Sequence, residues 1–118
     1  MTEKEAALQR RCQNIIRKYG GYVFKNNGNI YTECGRPDLT GCIPITAEKF
    51  VEVFGPNKRI GLFIGLELKR EGHLNEVSEA QKIVGQKIKN AGGLWFAIDD
   101  SDLVEALMIR LIGGKYDL

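Results

Sequence analysis

The chain has 118 residues, of which 43% are hydrophobic and 27% charged, with a formal net charge of +2. This is the composition of an ordinary soluble globular protein, and its length suits one domain around one core over residues 1–118. No apolar run approaches the roughly 20 residues of a membrane-spanning helix. A charge of +2 neither supports nor excludes a polyanionic partner, because an acidic metal site offsets a basic surface in the total.

In chain order, Met1-Thr2-Glu3-Lys4-Glu5 is charged and lacks the apolar core of a secretion signal, so a cytoplasmic location is expected. Residues 3–19 read as an amphipathic helix with Leu8, Cys12, Ile15, Ile16 and Tyr19 on one stripe, stopped by Gly20-Gly21. Tyr22-Val23-Phe24 reads as a short strand and Asn26-Asn27-Gly28-Asn29 as a turn. Ile30 to Gly35 continues as strand or loop.

A second strand is expected from Leu39 to Ile45, with Pro44 making its end irregular or placing it at an edge. Thr46 caps a short helix through Phe50 or beyond, and Gly55-Pro56-Asn57 turns the chain. Ile60 to Lys69 is the clearest strand, with Leu62, Ile64, Leu66 and Leu68 on one face and Phe63, Gly65, Glu67 and Lys69 on the other. Gly65 removes bulk beside Glu67, leaving room for a ligand or backbone to approach.

After a polar loop over residues 70–77, Ser78 starts a helix to about Ala91. Its expected stripe is Val77, Ala80, Val84, Ile88 and Ala91, and Gly92-Gly93 stops it. Leu94 to Ile98 is a continuous apolar strand, expected to be buried on both faces. Asp99, Asp100 or Ser101 caps a last helix bearing Leu103, Leu107 and Leu111, closed by Gly113-Gly114. This order predicts an α/β domain with a small mixed sheet flanked by helices.

Three cysteines, Cys12, Cys34 and Cys42, include no Cys-x-x-Cys pair, and an odd number cannot pair fully within one chain. Reduced thiols are expected. The single histidine, His73, has no cysteine near it in sequence, which argues against a structural zinc site.

The chemistry concentrates in Gly35-Arg36-Pro37-Asp38 and Glu67-Leu68-Lys69. Two carboxylates and an amine, each beside an apolar strand, suit a hard divalent cation and a phosphodiester. Asp38 and Glu67 are candidate ligands for Mg²⁺ or Mn²⁺, the Leu68 carbonyl is a third, and Lys69 is placed to orient a water and offset phosphate charge. The bland alternative is a turn aspartate and a solvated strand face.

These residues resemble the VRR-NUC domain of the PD-(D/E)xK nuclease superfamily. The resemblance runs from about Glu5 to Leu111. It is carried by Glu5, Asn29, Gly35-Arg36-Pro37-Asp38-Leu39-Thr40-Gly41, Gly65-Leu66-Glu67-Leu68-Lys69, Ser78-Glu79-Ala80-Gln81 and Asn90-Ala91-Gly92-Gly93. It implies a restriction-endonuclease-like αβββαβ core and a metal-dependent DNA endonuclease. Standalone phage and bacterial members of this size are similar to homodimeric, junction-cleaving enzymes, which implies a homodimer acting on four-way (Holliday) junctions in a phage or bacterial host cytoplasm. By the same resemblance Asp38 and Glu67 are metal ligands, Lys69 is the catalytic lysine, and products carry a 5′-phosphate and a 3′-hydroxyl. The segment from Thr46 to Ile60 is longer than in the shortest members and resembles inserts of phage-type ones.

Four further positions have two readings each. Glu5 aligns with an acidic residue that approaches the metals, or it complements a helix dipole. Gln81 resembles a glutamine near the reacting phosphate, and it also completes a capping box with Ser78. Arg36 and Arg70 are phosphate contacts or solvated side chains. Arg10, Arg11, Arg17, Lys18, Lys82, Lys87 and Lys89 read as solvated helix faces. Competing functions are a flap or duplex nuclease within a repair or packaging complex, and a non-catalytic nucleic-acid-binding module.

Overall fold

The computed structural model describes residues 3–27 and 35–113. The expectations for Gly28, Asn29, residues 30–34 with Cys34, and Gly114 lie outside the described residues. The elements run α1 (Glu3–Lys18), β1 (Tyr22–Lys25), β2 (Leu39–Cys42), α2 (Ala47–Phe54), β3 (Ile64–Leu68), α3 (Glu79–Asn90), β4 (Leu94–Ile98) and α4 (Asp102–Ile112), with one 3₁₀ turn at Leu74–Glu76. The chain is therefore mixed α/β, with small sheets and four helices among the described residues. No helix among them is long and apolar enough to cross a membrane.

The strands form two separate pairs rather than the one mixed sheet expected. β1 and β2 are antiparallel, with Lys25 opposite Leu39 and Tyr22 opposite Cys42. β3 and β4 are parallel, with Gly65 opposite Trp95 and Glu67 opposite Ala97. β2 ends at Cys42, short of the expected Ile45, because Pro44 has no N–H to continue a ladder. β3 starts at Ile64 rather than Ile60. The residues before it line a cleft of about 540 Å³, facing Gly41, Cys42 and Phe50. Thr46 caps α2 as expected, its side chain accepting from the Lys49 N–H.

Side chains join the two pairs. The Tyr22 and Phe63 rings meet edge-on with centroids 6.2 Å apart. The buried Cys42 thiol donates to the Ala91 carbonyl at 3.2 Å. Val23, Cys42, Ile88, Ala91 and Ile98 are the buried apolar core.

The inward rows of two helices differ from the apolar stripes. On α1 the buried residue is Gln9, with Cys12 and Ile16 half-buried, while Leu8, Ile15 and Tyr19 are exposed. On α3 the row facing β3 and β4 is Gln81, Gly85 and Ile88, spaced four and three residues apart. Val84 stays 39% exposed. The cause is Trp95: a Cβ at Gly85 would fall 2.4 Å from its Cδ2 atom, so only glycine lets the indole lie against α3. Gly65 serves the same packing. A Cβ there would sit 3.1 Å from Ile88 and 3.2 Å from Trp95, so its missing bulk admits these side chains rather than a ligand.

The opposite face of β3 and β4 is only partly covered. Leu66, Leu68 and Phe96 are 37%, 68% and 40% exposed, so β4 is not buried on both faces as expected. α4 lies over part of this face, and Leu66, Phe96, Ile98, Leu103 and Leu107 line a cavity of about 300 Å³ between them.

Candidate active site

β3 and the start of α3 bring Glu67, Lys69 and Gln81 together. Glu67 and Lys69 alternate with Leu68 and so share the face that α3 packs on. The Lys69 backbone N–H still donates to the Ile98 carbonyl at 2.9 Å, which carries strand geometry one residue past Leu68. Lys69 Nζ lies 3.5 Å from Glu67 Oε1, and the two side chains are 18% and 29% exposed. The pair is therefore screened by protein on most sides yet reachable from solvent.

Gln81 fixes the same carboxylate from the helix side. Its Nε2 donates to Glu67 Oε1 at 2.7 Å, and its Oε1 accepts the Ser78 N–H at 2.9 Å. Ser78 Oγ accepts the Gln81 N–H at 3.1 Å, completing a capping box. The box also dictates the chemistry. Ser78 offers a donor, so the amide oxygen must face it and the amide NH₂ must face Glu67. Capping and holding the carboxylate are one geometry: the capping box expected of Gln81 is present, and the same side chain reaches Glu67. Glu67 Oε2 makes no hydrogen bond among the described residues and is the oxygen left to meet a ligand.

The Leu68 carbonyl is also open. The Lys69 N–H and the Phe63 carbonyl both bond to β4, so odd-numbered residues turn their backbone groups towards β4 and even-numbered ones turn them away. β4 is the partner of β3 in its sheet, so the Leu68 carbonyl projects from the free edge.

Asp38 stands at the corner leading into β2, exposed, and its carboxylate makes no hydrogen bond or ion pair among the described residues. The corner itself is tied down. The Asn26 N–H donates to the Asp38 carbonyl at 2.9 Å, and Asn26 Nδ2 donates to the Pro37 carbonyl at 2.9 Å and to Thr40 Oγ1 at 2.7 Å. Arg36 Nη2 donates to Asn26 Oδ1 at 3.4 Å, so this guanidinium folds back against the corner. In the sequence Asn26 reads only as part of a turn. Its one signal was its place directly after β1, opposite the start of β2.

The remaining candidates are more peripheral. Glu5 lies exposed in the first turn of α1, four residues before buried Gln9 and so on the same side of the helix. Arg70 is exposed just past β3, and its guanidinium has no partner among the described residues. The loop after it is held where the Gly72 N–H, at φ +80°, donates to Asp99 Oδ2 at 3.0 Å. His73 pairs with Glu76 at 3.0 Å in the 3₁₀ turn.

Two carboxylates and a main-chain carbonyl are hard oxygen donors. No group of three or more His, Cys, Asp or Glu gathers for a metal among the described residues. The donor chemistry still fits Mg²⁺ or Mn²⁺, which are commonly held by one or two carboxylates and complete their shell with waters and substrate phosphate. No protein-family model matches this chain, and neither a curated protein nor a solved structure does.

Proposed function

We propose that the chain is a metal-dependent DNA endonuclease of the PD-(D/E)xK type, with Asp38, Glu67 and the Leu68 carbonyl holding Mg²⁺ or Mn²⁺ and Lys69 as the catalytic lysine. The observation that carries this reading is the convergence of Lys69 and Gln81 on Glu67 Oε1, with Oε2 left open. The resemblance of the ordered motifs to the VRR-NUC domain supports the same assignment.

A bound divalent ion supplies Lewis acidity and a water of lowered pKa. The rest falls to the chain. Gln81 keeps the Glu67 carboxylate in one orientation, so little reorganisation is needed when charge develops. Lys69 places a cation beside that carboxylate, where it orients the attacking water and offsets phosphate charge. Arg70 offers a guanidinium with no partner among the described residues, at the rim, for a neighbouring phosphate.

The substrate proposed is branched DNA, above all four-way junctions, cut by a homodimer. Two symmetric nicks need two sites related by a two-fold axis. The exposed apolar side chains of Leu66, Leu68 and Phe96 support self-association. The test is cleavage of a labelled four-way junction against flap and linear duplex DNA with Mg²⁺, Mn²⁺ or EDTA. Metal-dependent cutting of the junction alone is the expected result. Equal cutting of all three would replace junction selectivity with a flap or duplex nuclease. Binding without cutting would replace the enzyme with a nucleic-acid-binding module.

A further inference from the structure

Asp38 faces a physical problem that Glu67 does not. Glu67 lies within a paired strand, whereas Asp38 lies at an exposed corner preceded by Pro37, which has no N–H with which to anchor itself. A ligand on a loose corner presents its carboxylate to a cation in many orientations.

One side chain addresses the whole corner. The last rung of the β1–β2 ladder is Lys25 opposite Leu39, and the Asn26 N–H extends it by bonding the Asp38 carbonyl at 2.9 Å. The Asn26 carboxamide then holds the residue before Asp38 and the residue two after it: Nδ2 bonds the Pro37 carbonyl at 2.9 Å and Thr40 Oγ1 at 2.7 Å. The remaining amide oxygen accepts from Arg36 Nη2 at 3.4 Å. Pro37 offers only an acceptor on one side and Arg36 only donors on the other, so the amide fits one way round. Alanine at position 26 would keep the rung and lose every other tie.

We propose that Asn26 is a positioning residue for Asp38, preorganising the Pro37–Asp38 corner so that the carboxylate meets a divalent cation in one orientation. This rests on the metal-dependent nuclease reading above. Asn26 stands to Asp38 as Gln81 stands to Glu67, so these two candidate carboxylates are each supported by one carboxamide. The two differ in mode. Gln81 bonds the carboxylate itself, whereas Asn26 bonds the groups around the carboxylate, both of whose oxygens are without a partner among the described residues.

The test is Mn²⁺ binding to metal-free protein without DNA, followed by electron paramagnetic resonance, for the wild type, Asn26→Ala, Thr40→Val and Asp38→Ala. Thermal unfolding and the Mn²⁺ dependence of DNA cleavage are measured on the same proteins. Asn26→Ala is expected to raise the Mn²⁺ concentration for half-saturation by about tenfold or more. The midpoint of cleavage should move by the same factor, with the rate returning at saturating Mn²⁺. Thr40→Val removes one tie and is expected to shift both in the same direction by less, which keeps the test decisive should Asn26→Ala fail to fold. Lowered thermal stability with unchanged Mn²⁺ affinity in both variants would overturn the proposal while leaving the nuclease reading intact. Asn26-dependent Mn²⁺ binding through Asp38 in a protein that cuts no DNA would uphold the proposal and overturn the nuclease. A wild type that binds no Mn²⁺ would overturn both.

Discussion

Gln81 Nε2 donates to Glu67 Oε1 at 2.7 Å, across the gap between the start of α3 and the end of β3. A hydrogen bond to an ionised group is worth about 1.5–3 kcal/mol, more than a typical neutral one. Here it is oriented by a helix cap, so a feature that starts a helix also sets the attitude of a candidate metal ligand.

Comparison of Gln81→Ala with Ser78→Ala separates these two tasks. Gln81→Ala loses the bond to Glu67 and one arm of the box. It should lower the cleavage rate by at least about tenfold, as supporting-shell losses do, with a stability loss of about 0.5–2 kcal/mol. Ser78→Ala keeps the Ser78 N–H that orients the amide, so it should lose similar stability at a near-normal rate. Equal rate losses in both variants would assign Gln81 to capping alone.

Gly85→Ala tests the packing that seats α3. In an ordinary helix interior this change gains about 1 kcal/mol. Here the new Cβ would lie 2.4 Å from the Trp95 ring, so overpacking at about 1–3 kcal/mol should win. Thermal unfolding followed by the fluorescence of Trp95, the one tryptophan, should show a lower midpoint.

Much of this architecture was legible in the sequence, and the misses have definite causes. Gly20-Gly21, Ser78 and Gly92-Gly93 marked helix ends correctly because caps and left-handed turns are local chemistry. Glu67 and Lys69 on one strand face followed from the two-residue period alone. The α3 stripe differs from the apolar pattern because the residues facing the sheet include a glycine and a glutamine. Their partners, Trp95 and Glu67, lie 10 and 14 residues away, where periodicity carries no information. An alternating apolar run marks strand character but not its extent: strand pairing needs a partner, and β4 begins only at Leu94, opposite Ile64. The role of Asn26 is not legible in sequence, since its bonds reach residues 36–40 through tertiary contact.

Cys42 gives a prediction on the alkaline side. Burial raises its thiol pKa above the ordinary value of 9.0. The neutral thiol is thus favoured in the folded state, and the associated stability is fully present below pH 9.0. It is lost as pH rises from there through the folded-state pKa. Cys42→Ala should remove this component of the alkaline fall in melting temperature. At neutral pH the Cys42 thiol should react slowly with thiol reagents until the chain is unfolded.

Arg70 and Arg36 differ in how free they are. Arg70 has no partner among the described residues, whereas Arg36 is drawn to Asn26. If Arg70 meets phosphate, Arg70→Ala should weaken DNA binding and reduce the slope of log affinity against log salt by about one. Binding measured from low to moderate salt checks this, and an unchanged slope would return Arg70 to the solvated surface.

Lys69→Ala is the most direct test of the central claim, with junction cleavage and junction binding measured on the same preparation in Mg²⁺. The expected result is metal-dependent cutting by the wild type, and binding without cutting by the folded variant. Cutting by Lys69→Ala at the wild-type rate, or a wild type that cuts nothing in Mg²⁺ or Mn²⁺, would contradict the account.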